Sequence, residues 1–291
     1  MPTNKRLRAA FIAVSAGFLA VTTCTRGTAA TATGDVSSPS ARVGQFVWHD
    51  LVTRDAATSR MFYSALLGWE FTASTRDGHT YYVARSDGDA IGGIVELESI
   101  EPGSAVWVSY LAVPDLERAV AQVTSAGGKV LLEPRPVKDY ARVAVVTDPQ
   151  GAPLALAVVT DKLPTGSEQP EANHFFWTEY LAKDGPAALT FYKSLTGFES
   201  TSSTTPNGIE YHVLKNDRPR AGLLQIPAQA TMIKPHWLPY VRVADPAALA
   251  TRAEALGGKI LMAPRPDLRN GTLTVIADPT GAAIALQKWP L

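Results

Sequence analysis

The amino-acid sequence predicts an α+β fold made of two copies of one domain, each containing two βαβββ units. The first observation is an internal repeat: residues 46–51 recur at 175–180, and residues 148–156 recur at 278–286. The second is the order of patterns within each copy, in which a strand, a capped helix and three strands occur twice. Repeats that keep one order over this length indicate a duplicated domain.

The first unit begins with residues 45–53, which alternate and are rich in β-formers, so they are predicted to be a strand. Asp55 is a suitable N-cap for a helix over 56–67, and Gly68 ends that helix. The three short strands that complete the unit are predicted at 69–74, 80–85 and 91–96.

The second unit repeats this order. A strand at 106–113 precedes Asp115, which is predicted to cap a helix that ends at Ala126. Its other strands are predicted at 129–132, 142–147 and 153–158. The resulting division is a first domain at 43–160, a linker at 161–172, and a second domain, with the same scheme, at 173–291.

Residues 1–24 have the pattern of a signal peptide, in which basic residues precede an apolar run that is short for a membrane span. Cys24 follows a stretch resembling a bacterial lipoprotein cleavage site, which predicts export and a lipid anchor on Cys24. The alternative is ordinary cleavage after Ala30 or Ala32, which gives a soluble exported protein. Residues 25–42, rich in Ser, Thr, Ala and Gly, are predicted to be a flexible tether.

The charge balance bears on the partners of the protein. The chain of 291 residues holds 27 basic and 27 acidic residues, and Lys5, Arg6 and Arg8 belong to the predicted signal peptide. The mature protein is therefore slightly acidic, without the basic patch that is typical of nucleic-acid-binding domains. We expect no nucleic-acid partner and membrane contact through the lipid anchor alone. The sequence does not specify an oligomeric state.

The paired βαβββ units resemble the vicinal oxygen chelate superfamily, which includes glyoxalase I, extradiol dioxygenases and bleomycin-resistance proteins. The resemblance rests on a strand followed by Asp, a helix containing Phe-Tyr, and the closing segment DPQGA at 148–152 with its repeat at 278–282. It covers nearly all of 43–288. It implies that each domain is a cupped mixed sheet with the helices outside and the ligand in the concavity, and it says little about activity.

The resemblance also implies where a metal would bind, since metal-using members place His, Gln or Glu on the first and last strand of each unit. The side chains at those positions here offer no metal donor: Trp48, Val108, Ala155, Trp177, Leu238 and Ala285. Glu96 and its repeat equivalent Gln225 remain as donors on the fourth strands. A catalytic divalent site needs about three protein donors, so we expect neither metal nor cofactor.

Alternation with a period of two predicts which side chains face each cup. On the first strand of each domain these are Phe46, Trp48, Asp50 and Val52, and Phe175, Trp177, Glu179 and Leu181. The candidates on other strands are Tyr110, Tyr240, His236, Arg242 and Gln287. An indole, a carboxylate and a phenol in each cup are typical of a small-molecule pocket. The candidate ligand contacts are therefore Trp48, Asp50 and Tyr110 in the first cup, and Trp177, Glu179, Tyr240, His236, Arg242 and Gln287 in the second. Because its polar set is richer, the second cup is the one expected to bind if only one does.

The sequence leaves open whether each cup is a pocket or a core plugged by Trp48 or Trp177, with the carboxylate bonded to tyrosine. Three functions follow. The first is metal-independent binding of a small, partly aromatic or apolar molecule by an exported protein. The second is a lyase or isomerase that uses Asp50 or Glu179 as a general base. The third is a protein-interaction module with filled cups.

Two other features are predicted to be structural. His49 has the opposite parity to Trp48 and is expected to pack toward a helix or an edge. The Pro-Arg-Pro segments at 134–136 and 264–266 are expected to be stiff loops at the rims of the cups.

Overall fold

The computed structural model describes residues 42–76, 79–163, 170–205 and 208–289. The predicted signal peptide with Cys24, the tether up to residue 41, and residues 164–169 of the predicted linker lie outside the described residues. Within the described ranges, no helix is long and apolar enough to cross a membrane.

The first domain is a single mixed sheet of eight strands with two helices. Its elements are β1 (Phe46–Thr53), α1 (Ala56–Leu67), β2 (Glu70–Arg76), β3 (His79–Ser86), β4 (Asp89–Glu96), β5 (Val106–Ala112), α2 (Leu116–Ser125), β6 (Lys129–Val137), β7 (Ala141–Thr147) and β8 (Pro153–Val159). The strand order is β2-β3-β4-β1-β5-β8-β7-β6. Because β1 pairs with β4 in parallel and with β5 in antiparallel orientation, it joins the two βαβββ units into one sheet.

The second domain has the same topology. Its elements are β9 (Phe175–Ala182), α3 (Gly185–Thr196), β10 (Glu199–Thr204), β11 (Glu210–Lys215), β12 (Pro219–Gln225), β13 (His236–Arg242), α4 (Pro246–Ala255), β14 (Lys259–Met262), a 3₁₀ turn (Arg269–Gly271), β15 (Leu273–Ala277) and β16 (Ala283–Gln287). The order β10-β11-β12-β9-β13-β16-β15-β14 repeats that of the first sheet. The α+β class and the two βαβββ units in each domain are confirmed.

Each of the four α-helices in the described residues begins after an aspartate, because its carboxylate accepts a hydrogen bond from a backbone N–H of the first turn that has no partner within the helix. Asp55 and Asp115, the predicted caps, accept from the amides of Thr58 and Arg118 at 2.9 Å. Gly68 ends α1 with a φ of 72°, in the left-handed region that favours glycine. Asp184 and Asp245 cap α3 and α4 in the same way.

The Pro-Arg-Pro segments differ between the domains, and the loop prediction is wrong for the first. There, residues 134–136 belong to β6, in which Arg135 pairs with Val143 of β7. The strand lies at the edge of its sheet, where proline is tolerated because its missing N–H faces no neighbour. In the second domain β14 ends at Met262, and residues 264–266 lie in a loop as predicted.

The two cups lie back to back. Helices α1 to α4 lie on the convex faces, outside the cups, and are packed between the two domains. One apolar cluster joins α2 and β8 to α3 and β13, through residues such as Val123 and Tyr192. A second joins α1 and β5 to β15 and β16, through residues such as Phe62 and Ile284. The sequence predicts helices outside each cup, but it does not predict that these faces bury one another.

Hydrogen bonds from the closing DPxGA segments reinforce this interface. Asp148 of the first domain accepts from the hydroxyls of Tyr180 and Tyr192 of the second, the latter at 2.8 Å. Asp278 of the second domain accepts from Ser59 of α1 at 2.9 Å, and burial raises the pKa of its carboxyl. These two aspartates therefore help to hold the domains together.

Candidate functional site

The first cup is built around the carboxylate of Asp50, in the middle of β1. Its Oδ1 accepts from the indole of Trp48 at 2.9 Å and from the hydroxyl of Tyr81 at 2.6 Å, and its Oδ2 accepts from the hydroxyl of Tyr110 at 2.6 Å. Gly93 lies beside Asp50 on the parallel strand β4, and a Cβ there would meet the Tyr81 hydroxyl at 1.8 Å. The glycine thus makes room for the phenol.

Burial dominates the electrostatics of this carboxyl. It raises the pKa of Asp50 from 3.8 to about 6, although the hydrogen bonds from Tyr110, Tyr81 and Trp48 oppose the shift. Burial and the neighbouring carboxylate raise the pKa of both tyrosines well above 10. Both phenols therefore stay neutral donors at physiological pH.

The rest of the first cup is filled by apolar side chains. Trp48 is 8% exposed and packs with Val52, Val83 and Val145, which are fully or almost fully buried. The segment after β8 covers the mouth: Leu163 is buried in the same cluster, and its carbonyl accepts from the guanidinium of Arg42 at 2.5 Å. The hydrogen bonds expected of a plugged core, including Asp50 to Tyr110, are present.

The second cup holds the corresponding carboxylate, Glu179 of β9, with a different set of partners. Its Oε1 accepts from the hydroxyl of Tyr211 at 2.7 Å and from the guanidinium of Arg269, and its Oε2 accepts from the hydroxyl of Tyr240. Trp177 donates to Tyr211 at 3.3 Å. The two cups therefore share an indole, a carboxylate and two phenols, and the second adds a cation.

Arg269 and Gln287 form the polar wall of the second cup. The guanidinium donates to Gln287 Oε1 at 3.0 Å and lies 5.7 Å and 5.6 Å from the ring centroids of Tyr211 and Tyr240. Burial lowers the pKa of Arg269, but the negative charge of Glu179, together with Tyr240 and Tyr211, more than offsets this effect and raises that pKa above its ordinary value. Arg269 is therefore a permanent cation beside a carboxylate, and the charges of the site are balanced.

The second cup is more open than the first. Trp177, Leu181 and Tyr211 are partly exposed, whereas their equivalents in the first cup are buried. Phe176 packs against Tyr240 and stacks with Trp289, which is 44% exposed. Aromatic surface that borders a polar cluster and remains in contact with solvent is typical of a small-molecule site.

Two predicted cup residues, Phe46 and Phe175, lie elsewhere because a β-bulge interrupts the alternation near the start of β1 and of β9. The register shifts between Phe46 and Trp48, and again in the pairing of Phe175 and Trp177 with β13. Phe46 and Phe175 therefore turn to the interface, where Phe46 contacts Trp237 at 4.7 Å between ring centroids. Arg242, a third predicted cup residue, donates to Pro170 O at 2.5 Å.

His236 and His49 have no role in the polar clusters. Nδ1 of His236 lies 2.8 Å from Lys234 O in the preceding loop, and burial lowers the pKa of its ring. Among the described residues, neither His236 nor Arg242 has a hydrogen bond with Glu179. His49 is buried at the interface, 3.0 Å from Ser109 Oγ and against the ring of Phe175, and burial lowers its pKa to about 3.

Sequence reasoning missed three residues of the clusters. Tyr81 and Tyr211 lie on the third strand of their units, and the glycine that faces each carboxylate from the parallel strand is the signal that could have indicated them. Arg269 follows β14 in a loop whose conformation no periodicity specifies, since its φ of 47° lies in the left-handed region.

The donors that a metal would use are engaged elsewhere. Glu96 Oε1 accepts from the amide of Ala56, and Gln225 Oε1 accepts from the amide of Gly185, both at 3.0 Å, so each side chain supports a helix N-terminus. Within the described part of the chain, no three His, Cys, Asp or Glu residues form a group that could hold a metal ion. The residues present therefore do not fit a divalent centre.

Comparison with known proteins identifies the family. The chain matches the Glyoxalase/Bleomycin resistance protein/Dioxygenase superfamily over residues 42–156 and 173–286. The chain belongs to this superfamily. Both matches fall on the cupped sheets, which agrees with the vicinal oxygen chelate resemblance of the sequence.

Two related proteins match most of the chain. Putative glyoxylase CFP32 of Mycobacterium bovis is 29% identical over 252 residues, covering 85% of this chain and 95% of that protein. Anthracycline biosynthesis protein DauV of a Streptomyces species is 29% identical over 261 residues, covering 84% and 92%.

Solved structures of the superfamily share the fold. A Mn(II)-bound glyoxalase from Novosphingobium aromaticivorans superposes with a TM-score of 0.56 at 14% identity, covering 85% of this chain and 82% of that one. A 2,2',3-trihydroxybiphenyl 1,2-dioxygenase from Sphingomonas wittichii gives 0.55 at 18% identity, covering 84% and 90%. At these identities the likeness concerns the fold alone.

Proposed function

We propose that this superfamily member binds a small, flat, aromatic or apolar molecule in its second cup without a metal ion, while its first cup is a structural core. The observation that carries the proposal is the contrast in burial between Trp48 and Trp177, since each lies beside an equivalent carboxylate and pair of phenols in its own cup. An aromatic wall that stays partly in water retains apolar surface that a ligand can bury.

Metal independence is supported by the chemistry of the donor sets. Trp48 and Trp177 occupy the positions where metal-using members carry a ligand, and one oxygen of Glu96 and the amide oxygen of Gln225 already accept helix N–H groups. The Mn(II)-bound glyoxalase shares the fold but only 14% of the sequence, so its metal does not transfer to this chain.

The names of the relatives favour a small-molecule role. One relative is described as a putative glyoxylase, and another is described as an anthracycline biosynthesis protein. An aromatic small molecule would suit the rings of the second cup and its border, which are Phe176, Trp177, Tyr211 and Trp289.

The other two functions have weaker support. A general base must reach a proton of its substrate, whereas both oxygens of Asp50 and of Glu179 already accept hydrogen bonds from the protein. A protein-interaction module with filled cups is consistent with the first cup. The second cup, with its partly exposed lining, argues against that role for the whole chain.

We also propose export with a lipid anchor at Cys24. Cys24→Ser should abolish labelling of the cells' protein with a fatty-acid analogue and should release the protein from the membrane fraction. A wild-type protein that is soluble and begins at Thr31 or Thr33 would instead establish ordinary signal cleavage.

The binding proposal is tested with a matched pair of variants. Thermal shift against a library of aromatic and apolar compounds identifies ligands, because a ligand that binds only the folded state raises the melting temperature by mass action. Trp177→Phe should change the affinity of a ligand at nearly constant melting temperature. Trp48→Phe should lower the melting temperature and leave the affinity unchanged. The reverse pattern would assign the pocket to the first cup.

A further inference from the structure

Gln287 is fully buried in the second cup and has a donor without an acceptor. It lies on β16 with the same parity as Ala285, which belongs to the apolar cluster of that cup. Its Oε1 accepts from Arg269 at 3.0 Å, whereas its Nε2 has no hydrogen-bond partner among the residues that the structure describes. Buried amide donors are nearly always paired, so this one calls for an explanation.

The orientation of the amide is fixed by its neighbour. A guanidinium carries only donors, so the group that faces Arg269 must be the oxygen of the Gln287 amide. Rotating the amide by half a turn would set N–H against N–H and leave the charge of Arg269 with one acceptor fewer. The N–H₂ group therefore points away from Arg269 within the cup.

The fold does not require this polar pair. Gln287 pairs with Leu273 on the neighbouring strand, and the residue in the same register of the first domain, opposite Val143, is Ala157. The first cup therefore closes with a methyl group where the second presents an amide. Arg269 and Asn270 both adopt left-handed backbone conformations, with φ of 47° and 54°, to bring the guanidinium into place. Such conformations persist where the surroundings impose them, and they often mark functional sites.

The charge balance restricts what the amide can recognise. Glu179 already neutralises Arg269, so an ionised group on the ligand would add an unpaired charge to a largely buried site. An amide N–H donates well to a neutral oxygen acceptor. The partly exposed rings of Trp177 and Tyr211 supply an apolar surface beside it.

We propose that the Gln287 amide recognises a neutral carbonyl oxygen on a flat aromatic ligand, so that the second cup selects aromatic ketones or quinones over hydrocarbons of the same shape. This inference rests on the proposed function, since it names the chemical class that the second cup prefers. It assigns Gln287 as the specificity-determining residue, oriented by Arg269.

The test uses two matched pairs of probes of different size: 9-fluorenone with fluorene, and 1-indanone with indane. Members of each pair differ mainly in the carbonyl oxygen. Equilibrium dialysis against the full chain should show at least tenfold tighter binding of one ketone than of its hydrocarbon. Gln287→Glu keeps an oxygen for Arg269 but removes the N–H donor, and Gln287→Leu removes both. Both variants should lose the preference for the ketone, and their affinity for the hydrocarbon should change little.

The outcomes separate this inference from the proposed function. Equal binding of ketone and hydrocarbon by the wild type, weakened for both by Trp177→Phe, would overturn the role of Gln287 and leave the pocket standing. Binding of neither member of either pair would overturn both. A ketone preference that survives in a folded Gln287→Glu variant, judged by its melting temperature, would assign the donor to another group.

Discussion

The two cups of this protein contain the same polar cluster in two different settings. In each, a carboxylate on the first strand accepts from two phenols, with an indole alongside. In the first cup the cluster is sealed beneath valine and leucine, and in the second it borders partly exposed rings. Such a cluster therefore does not by itself mark a binding site, since its surroundings decide whether it is enclosed or partly open to solvent.

The difference arises from one short stretch of chain. β6 continues to Val137 and remains paired with β7, so its last residues and the segment around Leu163 close the first cup. β14 ends at Met262, and the freed loop turns back through Arg269. Because this edge strand is shorter in the second domain, a guanidinium lies at the end of the sheet where the first domain has an apolar lid.

The largest expected effect comes from removing the two indoles in turn. Trp48→Ala should cost about 3–5 kcal/mol of unfolding free energy, because the indole is almost fully buried in a packed cluster. Trp177→Ala should cost about 1–2 kcal/mol, since part of that ring is already in water. Urea unfolding of the full chain, followed by circular dichroism, measures both. Equal costs would mean that the second cup is as filled as the first.

The second expected effect is a pH dependence that belongs to the first cup. The folded-state pKa of Asp50 is about 6, against 3.8 for the free side chain. Between these values the folded state holds a proton that the unfolded state has lost, so stability falls as pH rises, by about 1.4 kcal/mol per pH unit. This contribution is fully present below about pH 4 and lost above about pH 6.

Asp50→Asn isolates that contribution, because the amide is neutral at every pH. The unfolding free energy of the wild type relative to the variant should fall by about 3 kcal/mol between pH 3 and pH 7. Asp278, whose pKa is also raised, is present in both proteins and cancels in the difference. A difference that stays constant across this range would show that burial does not raise the pKa of Asp50 in the folded state.

The sequence predicted the fold well, because the signals it used are local and repeated. Each helix has an aspartate cap, and Gly68 ends the first, so element boundaries near these residues agree with the structure within one or two positions. Strand parity placed Trp48, Asp50 and Tyr110 together, and placed Glu179 with Tyr240, since a strand in regular register alternates its faces.

Parity failed where the backbone departs from regular geometry. A bulge near the start of β1 and of β9 turned Phe46 and Phe175 to the interface, and nothing in their residue types specifies it. Arg269 lies in a loop and reaches Glu179 across 90 positions of sequence. Such contacts depend on tertiary packing, which a single sequence does not encode in a local pattern.

The third prediction concerns the ion pair that only the second cup contains within the described chain. Arg269→Met should cost about 1–3 kcal/mol, which is less than the loss of one partner of a fully buried pair, because a quarter of the Arg269 side chain is exposed. The double variant Arg269→Met with Glu179→Gln should recover part of that loss, since it leaves no unpaired carboxylate. A double-mutant cycle by urea unfolding gives the coupling, and strict additivity would mean that the pair contributes nothing.

The smallest expected effect is that of chelation, which should leave both cups unchanged. The positions that carry metal ligands in metal-using members are occupied here by Trp, by Val or Leu, and by Ala. Glu96 and Gln225 cap helices instead of facing an ion. Protein dialysed without chelator should contain no stoichiometric Zn, Ni, Mn or Fe, and its melting temperature should not change on adding chelator. Elemental analysis and thermal unfolding measure both.

Tight stoichiometric metal that is lost in Glu96→Ala would place a metal site in the first cup, and loss in Gln225→Ala would place it in the second. Either result would require these side chains to leave the helix N-termini, which the cost of the lost caps makes unfavourable.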